Sequence, residues 1–209
     1  MNAPLDAPDA EFRPHLSRIL SVVLMAGCAV GAVAVLIGGG LRSWPAALPL
    51  VVVAYVVWLL FWFPKVVVGG PGVTLVNPLQ SLTVPWDAII AVDTKYALTL
   101  VTPRARYTAW AAPAPGATSS FRQMRRSAKA EERDGSGARY SSVRPGDLPT
   151  SDSGVAAAAV RRRLDRLAEA GLLDVDKTDQ ARPVRRVHVL HLAVLLVLLV
   201  ASFLLPSVL

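Results

Sequence analysis

The sequence predicts an α+β chain with three transmembrane helices and one small antiparallel β-roll that carries a single C-terminal amphipathic helix. Three observations lead there. The 209 residues are 53% hydrophobic and only 18% charged, and a mean hydropathy of +0.45 is too apolar for an ordinary water-facing domain. The apolar residues gather in three uncharged runs of 19, 20 and 19 residues, Ile19 to Ile37, Trp44 to Phe63 and Val187 to Leu205. Between the second and third runs the pattern shortens to alternating stretches rich in Val, Leu and Thr, punctuated by Gly, Pro and Asn.

Residues 1–18 form a short polar tail. The run from Ile19 to Ile37 nearly covers a hydrocarbon layer of ~30 Å at ~1.5 Å per residue. Met25-Ala26-Gly27-Cys28 has the look of a lipoprotein cleavage box, but the apolar stretch before Cys28 spans only seven residues and the chain stays apolar beyond it. A retained span is therefore expected rather than a cleaved leader. Gly27 and Gly31 share a Gly-x-x-x-Gly spacing that permits close helix packing. Gly38-Gly39-Gly40-Leu41-Arg42-Ser43 reads as a tight turn. In the next run Ser43 is the expected N-cap, Pro45 sits harmlessly in the first turn, and Pro49 is expected to bend the helix. Trp44 marks one membrane interface, and Trp58, Trp62 and Phe63 the other.

The segment from residue 65 to 172 is the expected soluble domain. Val73–Val76 and Ser81–Val84 read as a hairpin around Asn77-Pro78, and Gly69-Gly70-Pro71-Gly72 opens the first strand. Ala88–Val92, Leu98–Thr102 and Arg106–Trp110 continue the meander. Alternation places Leu82, Val84, Ile90, Val92, Leu98 and Leu100 on a buried face, with Trp86 and Trp110 as core or turn anchors. Residues 111–154 are rich in Pro, Ala, Gly, Ser and Arg, and are expected to be disordered apart from a transient helix around Phe121, Met124 and Ala128. Val155 to Ala170 is the predicted helix, with Val160, Leu164 and Leu167 as its apolar stripe. Ser151 or Ser153 is its cap, Gly171 its stop, and Arg161 and Asp165 an i,i+4 pair. Residues 173–186 link it to the third run.

Gly72-Val73-Thr74-Leu75-Val76-Asn77-Pro78-Leu79, Val84-Pro85-Trp86-Asp87-Ala88-Ile89 and Tyr107-Thr108-Ala109-Trp110-Ala111-Ala112-Pro113 together resemble the bacterial PH-like domain of the low-molecular-weight protein antigen six type. Pro85, Trp86, Ile89 and Trp110 carry most of that resemblance. It implies a PH-like β-roll, usually beside two N-terminal membrane helices, and a binding or scaffolding role without catalytic residues. A full PH-like barrel has seven strands, of which the pattern shows five, and the turn at Pro103-Arg104-Ala105 lacks the glycine such a turn usually carries.

Enzyme chemistry finds little support, and no catalytic, cofactor-binding or metal residues are expected. One Cys and three His argue against a disulfide framework or a zinc site. His188 and His191 have an i,i+3 spacing without a nearby carboxylate, which suits an interfacial position. No charged residue lies inside any span, which argues against a transporter or proton path. Counting near the span ends, one side holds Arg13, Arg18, Lys65, Lys177, Arg182, Arg185 and Arg186, and the other only Arg42. The N-terminus and residues 65–186 are therefore expected in the cytoplasm of a multi-pass cell-membrane protein, with the C-terminus outside.

Residues 65–186 hold 19 Lys and Arg against 12 Asp and Glu. Arg161, Arg162, Arg163, Arg166, Arg182, Arg185 and Arg186 are the candidate contacts to an anionic lipid surface. The expected partners are the bilayer and a protein, with neither nucleic acid nor a small-molecule substrate. The expected role is a non-catalytic adaptor. The alternative is an accessory subunit of a larger membrane complex, packed through Gly27 and Gly31.

Overall fold

The computed structural model describes residues 10–113, 151–173, 178 and 181–208. The expected transient helix around Phe121 and most of the expected insert lie outside these residues. Among the described residues eight strands form two sheets, one of order β1-β2-β3-β4-β8 and one of order β5-β6-β7. The strands are β1 (Ala10–Phe12), β2 (Lys65–Val68), β3 (Gly72–Val76), β4 (Gln80–Pro85), β5 (Ala91–Asp93), β6 (Ala97–Val101), β7 (Arg106–Pro113) and β8 (Val184–Val187). The helices are α1 (His15–Gly39), α2 (Trp44–Val57), α3 (Asp152–Glu169) and α4 (Val189–Val208). The chain divides into a β-rich unit (Met1–Arg13, Lys65–Leu75, Thr83–Val184) and a helical unit (Pro14–Pro64, Val76–Leu82, Arg185–Leu209).

In the β-rich unit β1 pairs antiparallel with β2, Ala10 opposite Val68 and Phe12 opposite Val66. The segment ahead of the first apolar helix therefore supplies a strand that the alternating pattern did not reveal. β5 pairs with β6 and β6 with β7, both antiparallel, with a register irregularity between Ala97 and Thr99. Val66, Val73, Leu75, Val84, Leu98 and Leu100 are fully buried. The helix α3 lies over β5, β6 and β7 and also meets β1 and β2.

Several sequence expectations need correction here. Residues 86–88 form a 3-10 turn, not the start of a strand, so the strand expected at Ala88–Val92 begins at Ala91. The turn shifts the alternation by one position: Ile89 is buried and Ile90 is 60% exposed. The α3 core face is mainly Ser153, Ala156, Ala157 and Val160, small residues that let backbones approach, while Leu164 and Leu167 are half-buried. Ser151 caps α3 by accepting from the Gly154 amide at 2.9 Å. Gly171, at φ +64, takes the left-handed conformation that ends the helix. Residues 111–113 belong to β7 and 152–154 to α3, so neither end of the expected insert is irregular.

In the helical unit α2 packs against both α1 and α4. Ala47, Val52, Val57 and Leu59 are buried, the last within a π-helical turn at Trp58–Trp62. Ser43 does not cap α2. Its hydroxyl donates to the carbonyls of Val35 at 2.9 Å and Gly40 at 2.7 Å, and so ties the α1–α2 turn together. Gly40, at φ +68, supplies the left-handed residue of that turn. Among the described residues two helices are long and apolar enough to cross a membrane, Leu16–Gly39 and Leu41–Trp62. The third run gives α4, apolar over Val189–Leu205; it starts later than expected because Val187 belongs to β8 and His188 lies outside the helix.

Candidate functional site

Two surfaces of the β-rich unit bring together residues that the sequence singles out. The first is built around Pro85, Trp86 and Ile89. Pro85 ends β4 and leads into the 3-10 turn, which the Ile89 amide closes on the Trp86 carbonyl at 3.1 Å. The Trp86 side chain is buried, and its indole N–H is shared between the carbonyls of Gly69 and Gly70, each at 3.0 Å. A side chain at Gly72 would place its Cβ 2.1 Å from the Val84 carbonyl oxygen, so only glycine lets β3 pass there. These residues fix the β2–β3 loop onto the end of β4. They form a structural staple that leaves no room for a ligand on the indole.

The second surface is the outer face of the three-stranded sheet. Along β7, Arg106, Thr108 and Trp110 are exposed while Ala109 and Ala111 are buried. Trp110 is 54% exposed, so the expectation of a core anchor is corrected: β7 alternates, and Trp110 falls in the outward phase. The hydroxyls of Thr99 and Thr108 lie 3.1 Å apart across β6 and β7 on this side. Tyr96 is 78% exposed at the entry to β6, with the Lys95 ammonium 5.0 Å from its ring centre. Lys95 is itself held in a turn by the Asp93 carboxylate, which accepts from its amide at 3.1 Å. Exposed aromatics on a rigid sheet supply contact area at little ordering cost.

The candidate arginines are distributed over both units. Arg161 donates to the Val92 carbonyl at 3.0 Å and ties α3 to β5. Arg166 donates through Nε to the Arg162 carbonyl at 3.2 Å, and both residues are exposed, whereas Arg163 is half-buried. Arg182 is exposed in the β-rich unit, and Arg185 and Arg186 are exposed on β8 in the helical unit. Sequence reasoning missed Glu11, which receives hydrogen bonds from Arg13 and, at 3.3 Å, from Lys65. Chiefly the bond from Arg13 holds the Glu11 carboxyl below its ordinary 4.5; burial, the next largest effect, opposes it, and the hydrogen bond and charge of Lys65 add to the lowering.

In the helical unit an ideal Cβ on Gly31 would lie 3.1 Å from Leu50, which places this glycine in the α1–α2 contact, whereas nothing lies within 4 Å of Gly27. Within the described residues of the chain, then, Gly31 meets a neighbour and Gly27 is open. His188 and His191 are engaged separately: His188 Nε2 lies 3.1 Å from the Ser81 hydroxyl, and His191 Nδ1 lies 3.2 Å from the Tyr55 hydroxyl. Phe63 stands edge-on to both rings. Among the described residues no group of three His, Cys, Asp or Glu could hold a metal ion.

A family model described as Bacterial PH domain matches residues 63–172, more than half of the chain. The search of curated proteins and the search of solved structures each found no match.

Proposed function

The chain belongs to the bacterial PH domain family, and from that premise we propose that it is a multi-pass membrane protein holding a PH-like domain at the cytoplasmic face as a non-catalytic adaptor for a protein partner. The observation that carries this reading is the outward apolar surface of the helical unit. Leu16, Ile19, Val23, Val30 and Ile37 on α1 and Leu190, Leu196, Val197 and Phe203 on α4 are all exposed. Water-soluble proteins do not leave so many large apolar side chains contiguous and uncovered, and lipid is the solvent that suits them.

Chain connectivity supports the placement. β1 and β2 flank the α1–α2 hairpin in sequence and pair with each other, as is expected of two segments on one side of a membrane that α1 and α2 cross twice. The excess of Lys and Arg on that side favours the cytoplasm. The face formed by Arg106, Thr108 and Trp110, with Tyr96 nearby in sequence, is the surface on which a protein partner is expected to dock.

Photo-crosslinkers placed at Trp110 and Tyr96 in cells test the adaptor role, with one at Leu41 in the α1–α2 turn as reference. The expected outcome is a discrete protein adduct from the two β-rich positions that the Leu41 position does not give. The same adducts from all three positions, or none from the sheet, would contradict it.

A further inference from the structure

We propose that the groove where α1 meets the π-helical turn binds one anionic phospholipid of the bilayer, its phosphate on Arg18 and an acyl chain along Ile19, Val22 and Val23. The inference rests on the membrane reading above and adds to it a specific lipid site outside the PH-like domain. The groove has a volume of about 380 Å³ and is lined by Arg18, Ile19, Val22, Val23 and Trp62. Its only charged wall is Arg18; the other four residues are apolar or aromatic. Ile19 and Val23 are both exposed, so the groove opens outward.

The Arg18 guanidinium carbon lies 4.3 Å from the centre of the Trp62 ring. Stacking on an indole face suits the flat, weakly hydrated guanidinium and fixes the direction of its N–H groups. Its Nε is buried, and no acceptor among the described residues takes its hydrogen. Arg13, close by in sequence, behaves differently and pairs with Glu11. With Nε turned into the protein, the guanidinium offers its terminal N–H groups, whose planar spacing matches the oxygens of a phosphate.

Depth and shape select the source of that phosphate. Arg18 lies in the first turn of α1 and Trp62 in the last turn after α2, the two ends of one hairpin, where headgroups meet hydrocarbon. A free hydrated phosphate would gain one cation and leave the apolar wall wet, whereas a lipid satisfies both ends of the groove at once. A zwitterionic headgroup brings its own cation and so gains less from Arg18 than an anionic one does.

The test uses the full chain reconstituted in phosphatidylcholine nanodiscs carrying graded fractions of either brominated phosphatidylglycerol or brominated phosphatidylcholine. The Trp62 signal is the difference between the native chain and Trp62→Phe. Half-quenching is expected at an about fivefold lower mole fraction of the anionic lipid, the ratio that one arginine near a surface supplies. That preference should vanish in Arg18→Gln and largely survive in Arg18→Lys. Equal quenching by the two lipids, quenching by neither, or a preference that persists in Arg18→Gln would overturn the site. Retention of the native chain in the membrane pellet after alkaline carbonate reports separately on the membrane reading, so failure of that premise is distinguishable from failure of the lipid site.

Discussion

The β-rich unit and the helical unit are both built from Val, Leu and Ala, yet they place these residues in opposite ways. In the first, Val66, Leu75, Leu98 and Leu100 are wholly enclosed and the sheet surface carries Thr, Arg and Lys. In the second, only the faces of α2 toward its neighbours are enclosed, while α1 and α4 present Leu, Ile, Val and Phe outward. Composition alone does not separate the two cases; the period does. An alternation of two with polar punctuation buries a face against water, and 19 or 20 unbroken apolar residues are the length that suits a solvent that is itself apolar.

The sharpest way to break this contrast is a matched pair of truncations. Leu98→Ala should cost the β-rich unit about 2–5 kcal/mol by opening a cavity, read as a shifted urea midpoint. Leu196→Ala on the outward face of α4 should change stability in detergent by less than about 0.5 kcal/mol. Equal costs would mean that α4 is packed rather than lipid-facing. Trp86→Phe comes next: it keeps the ring but removes the shared N–H, and is expected to destabilise the β-rich unit by about 1–3 kcal/mol through two unsatisfied carbonyls. An unchanged urea midpoint would show that the staple is dispensable.

Gly31→Leu forces a side chain onto Leu50 and should cost about 1–3 kcal/mol, whereas Gly27→Leu should be silent in the isolated chain, both read by detergent-denaturation midpoints. A loss of assembly caused by Gly27→Leu in cells would instead favour the accessory-subunit alternative. The smallest expected effect concerns Glu11. Because its folded pKa is lowered, its contribution is present above about 4.5 and is lost as pH falls through the lower folded value. The site is partly exposed, so Glu11→Gln should cost at most about 1 kcal/mol at pH 7 and progressively less as the pH falls below 4.5. A cost independent of pH would show that Glu11 matters through packing and not through charge.

The elements with long, regular patterns were legible in the sequence: two apolar helices, the β3–β4 hairpin, β6, β7 and α3. Those that the pattern missed have physical reasons for escaping it. β1 is three residues, Ala10-Glu11-Phe12, too short for any period to register, and its pairing partner lies beyond two helices. β8 reads Val-Arg-Arg-Val and is exposed throughout, so its charges register as a topological signal and not as a strand. Ile90 was assigned to the wrong face because a 3-10 turn inserted at Trp86 shifts the phase.

Residue type also misled at the tryptophans. Trp86 and Trp110 look alike in sequence, but Trp86 finds two carbonyl partners in a Gly-rich loop while Trp110 falls in the outward phase of β7. Conversely, the turn at Pro103-Arg104-Ala105 needs no glycine, because Thr102 closes it: its hydroxyl donates to the Ala105 carbonyl at 2.9 Å and accepts from the Ala105 amide at 3.2 Å. Arg18 registered only as a positive flank of a span. Its stacking on Trp62 joins residues at opposite ends of a helical hairpin, which no local pattern reports.

The central proposal is that the helical unit of this PH-domain protein is embedded in lipid, and alkaline carbonate extraction of native membranes holding the full chain tests it most directly. The chain should remain with the pelleted bilayers and leave only on addition of detergent. Release into the carbonate supernatant as a dispersed protein would contradict it.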